Sequence, residues 1–162
     1  MIVKDIIAED FVNYKKPSMF IIMPYCSFKC DKECGENVCQ NSSVASLPDI
    51  EVDIDELLMD YIRNPITDAV VFGGLEPFDS WEELIEFISV FRWVLDDDIV
   101  IYTGYNKDEI QDKIDLLKQY ENIIIKFGRF IPNQNSHYDD VLGVELASNN
   151  QYAEVIVNEN TK

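Results

Sequence analysis

Basic residues are scarce in this chain: 13 Lys and Arg stand against 31 Asp and Glu, a net charge of −18 over 162 residues. A field of that sign repels duplex nucleic acid and anionic membrane, so neither is expected as a direct partner. The acidic excess either keeps the chain soluble or faces a basic partner surface. Long apolar runs are also missing, with no stretch near the roughly 20 residues that span a bilayer. The opening Met1-Ile2-Val3-Lys4-Asp5 lacks the apolar core of a signal peptide, so the expected location is cytoplasmic, where thiols stay reduced. Internal repeats, low-complexity segments and linkers are absent, which leaves a single domain over residues 1–162. At 47% hydrophobic and 12% aromatic, that domain has the material for an ordered core. Histidine occurs once, at His137 in the polar stretch 133–140, a setting that reads as surface rather than catalysis.

Cysteine is absent except in one place. Cys26, Cys30, Cys34 and Cys39 fall within fourteen residues, directly after the apolar run 19–23. Soft thiolates this dense suit zinc or an iron–sulfur cluster better than two small disulfides. Structural zinc usually pairs two close ligands with a distant second pair, whereas these four sit on one loop with gaps of three, three and four residues. Spacing alone leaves both metals open.

The remaining chain alternates between two periods. Residues 19–23, 68–72, 99–102 and 123–127 are short apolar, β-branched runs that predict buried strands. Residues 53–63, 81–95 and 107–120 carry apolar side chains at helical spacing, the second behind the capping-box pattern Ser80-Trp81-Glu82-Glu83. After Gly128 no helical pattern appears, and 152–157 reads as a final strand. Such βαβ repetition implies an α/β fold with a mostly parallel sheet covered by helices. A complete eight-fold barrel takes about 250 residues, so the expectation is a partial, open (β/α) barrel. The cysteine loop would lie at the C-terminal end of an early strand, where α/β proteins usually bind ligands.

One further segment leaves a strand through two glycines, Gly73-Gly74-Leu75-Glu76-Pro77. Glycines let a ligand approach the backbone, and the Glu76 carboxylate can pair with an ammonium group. Taken alone this is an ordinary turn with a solvated acid.

Together the segments resemble the radical S-adenosylmethionine enzymes. Cys26-Ser27-Phe28-Lys29-Cys30 has their C-x3-C opening, Val38-Cys39-Gln40-Asn41 looks like the end of their cluster loop, and Gly73-Gly74-Leu75-Glu76-Pro77 is similar to their Gly-Gly-Glu-Pro segment. Within that superfamily the chain resembles the activating proteins of anaerobic ribonucleotide reductases. The landmarks are Glu9-Asp10-Phe11-Val12-Asn13, Tyr102-Thr103-Gly104-Tyr105 with Glu109, Lys126-Phe127-Gly128-Arg129-Phe130 and Leu146-Ala147-Ser148-Asn149-Asn150-Gln151. The resemblance implies a 4Fe-4S cluster on three thiolates. It also implies S-adenosylmethionine on the open iron, and a 5′-deoxyadenosyl radical that takes a Cα hydrogen from one glycine of the reductase large subunit. An electron donor such as a flavodoxin or ferredoxin would serve it, and no catalytic acid or base is required.

Two departures matter. Eight residues separate Cys30 from Cys39 where the family has two, with Cys34 among them, and Leu75 interrupts the glycine–glutamate segment. Cys26, Cys30 and Cys39 are the expected ligands because the flanks of Cys39 match the family, with Cys34 as the alternative. The implied cofactor-binding residues are Val38, Asn41, Gly73, Gly74, Glu76 and Pro77, with the adenine near Val38. Thr103 and Tyr105 are candidates for contacting the nucleoside or methionine portion, and Lys126 and Arg129 for neutralising a carboxylate. Two other readings stay open: a small radical enzyme acting on another peptide or glycyl-radical protein, and a non-catalytic module stapled by zinc.

Overall fold

Each expected apolar run is a strand in the computed structural model, which describes residues 1–158. In chain order the elements are β1 (Ile2–Val3), β2 (Asp5–Asp10), β3 (Ser18–Ile22), α1 (Lys29–Cys34), β4 (Ile50–Glu51), α2 (Ile54–Arg63) and β5 (Ala69–Gly73). They continue with α3 (Trp81–Arg92), β6 (Asp98–Tyr102), α4 (Gln111–Leu117), β7 (Ile123–Phe127), β8 (His137–Asp139), β9 (Val144–Leu146) and β10 (Tyr152–Ile156). Six strands form the central sheet in the order β10-β7-β6-β5-β3-β2. β3, β5, β6 and β7 run parallel, while β2 and β10 close the two edges antiparallel. The sheet is mostly parallel and open, an arrangement compatible with a partial barrel.

The differences from the sequence reading have physical reasons. β2 precedes the expected first strand; as an edge strand it buries little and carries three acids, so its apolar pattern is faint. The β8–β9 hairpin lies in the tail for the same reason, being only three residues on each side. Residues 107–120 divide into a 3-10 turn, Lys107–Ile110, and α4, with a capping box between Asn106 and Glu109 setting the start. α3 stops at Arg92 rather than reaching Leu95.

Alternation along the strands sends side chains to two different places. Ile21, Val70, Phe72, Ile99, Ile101, Ile123 and Ile125 pack with Leu57, Tyr61, Leu84, Phe87, Phe91 and Ile114 of the helices in the larger core. There Phe72 meets Phe87 edge-on at 5.1 Å, and Tyr61 meets Phe91 the same way at 5.2 Å. Val71, Val100 and Ile124 face the other way, against Tyr14, Leu142 and Leu146. The helices therefore cover one face, and the chain after β7 covers part of the other.

Register then aligns the strand ends. Ile22 pairs with Gly73, Phe72 with Ile101, and Tyr102 with Lys126, so β3, β5, β6 and β7 all finish at one edge of the sheet. The cysteine loop, Glu76, Thr103 and Gly128 each follow one of those ends.

Candidate metal centre and cofactor cavity

A cavity of about 410 Å³ opens at that edge, and Cys26, Cys30 and Cys39 all line it together with Asn41, Gly74, Glu76, Thr103 and Gly104. Cys34 does not line it; it ends α1 on the outward arm of the loop. Cys39 is close enough for its charge to be felt by both Cys26 and Cys30. Burial pushes the Cys26 thiol up to about 11 and raises Cys30, so neither would ionise readily without a metal to take the charge. Backbone N–H groups offset part of this: Phe28 donates to Cys26 Sγ at 3.2 Å, from a left-handed conformation at φ 53°, and Phe130 donates to Cys30.

The residues fit a cluster. Three thiols converge on one cavity, yet among the described residues no three His, Cys, Asp or Glu side chains lie close enough to grip a single metal ion. A cluster takes thiolates on several irons, and three thiols on one cavity supply the donors it needs.

Glu76 forms the opposite wall. Its carboxylate is almost fully buried and accepts from the Phe78 N–H at 3.1 Å, the Thr103 hydroxyl at 2.8 Å and the Gly104 N–H at 2.8 Å. Burial outweighs these donors and lifts its pKa to about 7. Gly104 sits between this acid and Cys30: a Cβ there would touch Glu76 Oε2 at 3.6 Å and Cys30 Sγ at 3.8 Å. Gly74 has φ 78°, and a Cβ on it would meet Ile22 Cγ2 at 2.5 Å, so packing against β3 demands glycine whatever ligand approaches.

The start of the loop is tied to this wall by two bonds. The Glu76 N–H donates to the Tyr25 carbonyl at 2.9 Å, and the Ser27 N–H donates to Asp79 at 2.9 Å. Asp79 also accepts from the Tyr105 hydroxyl, whose pKa rises to about 12 through burial and that carboxylate. Tyr105 therefore stands behind the loop, under the Lys29 ammonium at 4.2 Å, rather than on the cavity. Val38, Gly73 and Pro77 are likewise outside the lining, Gly73 packing beneath the Phe20 ring.

The two cations separate. Lys126 lines the cavity and is buried, donating to the Gly128 carbonyl at 2.9 Å; burial lowers its pKa to about 8. Arg129 is turned away from the cavity into Glu109 and Glu33, its Nε 3.1 Å from Glu33 without the alignment of a hydrogen bond. Sequence reasoning missed the inner wall: Asn13, Phe20, Tyr102, Leu146 and Gln151 also face the space. The period-two alternation of β3 and β6 carried that signal for Phe20 and Tyr102; Asn13, Leu146 and Gln151 stood in the landmark segments of the family resemblance with no place on the cavity attached to them.

A thiol-lined cavity at the carboxyl edge of a mostly parallel sheet is a setting for a metal centre. Residues 17–152 match the family described as a 4Fe-4S single cluster domain, and the chain belongs to it. No curated protein and no solved structure matches the chain. The family's chemistry sets the zinc staple aside. Among the described residues no helix is long and apolar enough to cross a membrane.

Proposed function

We propose that this protein is a radical-generating activase of the radical S-adenosylmethionine type, acting on a glycine of an anaerobic ribonucleotide reductase large subunit. What carries the reading is one cavity lined both by Cys26, Cys30 and Cys39 and by the acid of the Gly-Gly-Leu-Glu-Pro segment. Those three thiolates would hold the 4Fe-4S cluster. When bound, the cluster supplies the electron that cleaves S-adenosylmethionine, and the cofactor supplies the radical that takes the glycine hydrogen.

The chain's own residues bind and orient. Glu76 keeps lone-pair capacity beyond its three donors and meets the cofactor's ammonium group, which would hold the acid ionised despite its burial. Lys126 offers a buried cation on the same cavity for the carboxylate. Thr103, itself on the cavity lining, fixes Glu76 through its hydroxyl. Phe20, Tyr102 and Leu146 keep the inner wall dry. The open edge of the sheet admits a loop of the partner, and a flavodoxin or ferredoxin supplies the electron.

The test is anaerobic. Reconstituted protein with reductant, S-adenosylmethionine and the cognate reductase should give a glycyl radical by electron paramagnetic resonance, with 5′-deoxyadenosine accumulating alongside it. Cofactor cleavage without a reductase radical would move the substrate to another peptide or glycyl-radical protein.

A further inference from the structure

The long gap between Cys30 and Cys39 is folded away by one side chain. Asp31 Oδ1 accepts from both the Val38 N–H and the Cys39 N–H, each at 2.8 Å, and the Asp31 carbonyl accepts from the Gly35 N–H at 2.9 Å. The chain leaves Asp31 along α1, reverses at Gly35 with φ 72°, and returns to the same carboxylate. Residues 32–37 therefore form an excursion whose neck is Asp31 on one side and Val38 on the other. Removing those six residues would leave Cys30-Asp31-Val38-Cys39, two residues between cysteines instead of eight.

We propose that Asp31 is a positioning residue: its carboxylate clamps the neck of this excursion and so delivers Cys39 to the cavity beside Cys30, as though the intervening segment were absent. This rests on the reading of Cys39 as the third cluster ligand. A charged acceptor shared by two amides is the strongest link available across such a neck. Without it, the return from Gly35 to Cys39 has no bond across the neck, and fixing Cys39 beside Cys30 costs conformational entropy each time the cluster binds. The excursion's outer arm has its own tie, Glu33 against Arg129. That pair acts on the arm before Gly35 and does not bridge the neck.

Asp31→Ala, Asp31→Asn, deletion of 32–37, and Asp31→Ala within the deletion test this, with Cys39→Ala as a separate arm. In metal-free full-length protein, amide exchange at Val38 and Cys39 should be slow, and Asp31→Ala should accelerate it at those two amides without moving the thermal midpoint. After anaerobic reconstitution, Asp31→Ala should retain iron and sulfide about 10- to 100-fold less well against a chelator. Asp31→Asn, whose amide oxygen still accepts, should recover most of that loss and the visible absorption band. In the shortened chain Asp31→Ala should have no effect, because no neck remains to clamp, and loading of that chain also dispenses with Cys34. Full iron retention in Asp31→Ala, or equal damage in both loop lengths, overturns the proposal. Iron retained in Cys39→Ala overturns the ligand reading and the proposal with it, whereas loss in Cys39→Ala beside a harmless Asp31→Ala removes the clamp alone. Should the shortened chain fail to fold, the exchange rates at Val38 and Cys39 decide.

Discussion

Along β6, Ile99 and Ile101 point into the helices while Val100 and Tyr102 point into the inner space, and β7 divides Ile123 and Ile125 from Ile124 and Lys126 in the same way. The helix-covered face is apolar from one end of the sheet to the other. The inner face starts apolar and turns polar at the carboxyl edge, where Tyr102, Lys126 and Glu76 meet the cysteines. The period of two in a strand thus lets five-residue segments build a core on one side and a thiol-lined cavity on the other, with separate consequences for change on each.

The largest expected effect lies on the helix side. Phe87 is 1% exposed and touches the rings of Phe72 and Phe91. Phe87→Ala should lower the unfolding free energy of metal-free protein by about 3–5 kcal/mol, a large part of the ~5–15 kcal/mol a domain this size has. Chemical denaturation measures it. A loss below about 1 kcal/mol would mean that the helical layer is not the principal core.

On the inner face, a buried acid makes stability depend on pH, and that acid is Glu76. Its folded pKa of about 7 exceeds the ordinary 4.5, so the metal- and cofactor-free native state holds its proton more tightly than the unfolded chain. That contribution is complete below pH 4.5 and is lost as pH rises through about 7, a decline of up to about 3 kcal/mol. Glu76→Gln should flatten the decline in melts recorded across pH 4.5–7. An unchanged slope would place the titration elsewhere. On the proposed function, S-adenosylmethionine should reverse the trend by pairing its ammonium with the ionised acid.

The same two faces explain what could be read from the chain before its structure. Strands β3, β5, β6 and β7 are buried on both sides, so their apolar residues run together and mark them plainly. β2 and the β8–β9 hairpin bury one side at most, and nothing in Asp5–Asp10 separates a strand from an acidic loop. The cysteines and Glu76 were legible as residue types with special chemistry. Their convergence was not, because it depends on strand register, and Asn13 and Gln151 reach the cavity from segments far apart in sequence. Arg129 resembled a cavity cation until Glu33 and Glu109 were seen to claim it.

A milder change tests the inner wall itself. The Tyr102 hydroxyl donates to the Asn13 carbonyl and so ties the rim segment after β2 to the centre of the sheet. Tyr102→Phe keeps the ring and loses that bond, which should cost about 0.5–1.5 kcal/mol. Hydrogen exchange should quicken at residues 10–13 and remain unchanged in α3. Acceleration spread through both faces would show that the wall and the core are one cooperative unit.

The smallest effect belongs to the rim, outside both faces. Lys107 and Glu154 pair at 2.6 Å between the turn before α4 and the edge strand β10, but their side chains are 43% and 38% exposed. Water competes for both ions, and ordering two long side chains offsets much of the attraction, so Lys107→Ala should cost only about 0.2–1 kcal/mol at low salt. The difference should vanish near 1 M salt, where screening reaches within about 3 Å. The pair's greater consequence concerns association, because β10 presents Val155 at an unpaired sheet edge and charge there discourages edge-to-edge pairing. Glu154→Val should leave the monomer's melt almost unchanged while raising concentration-dependent association in light scattering; a monodisperse variant would show that some other feature protects that edge.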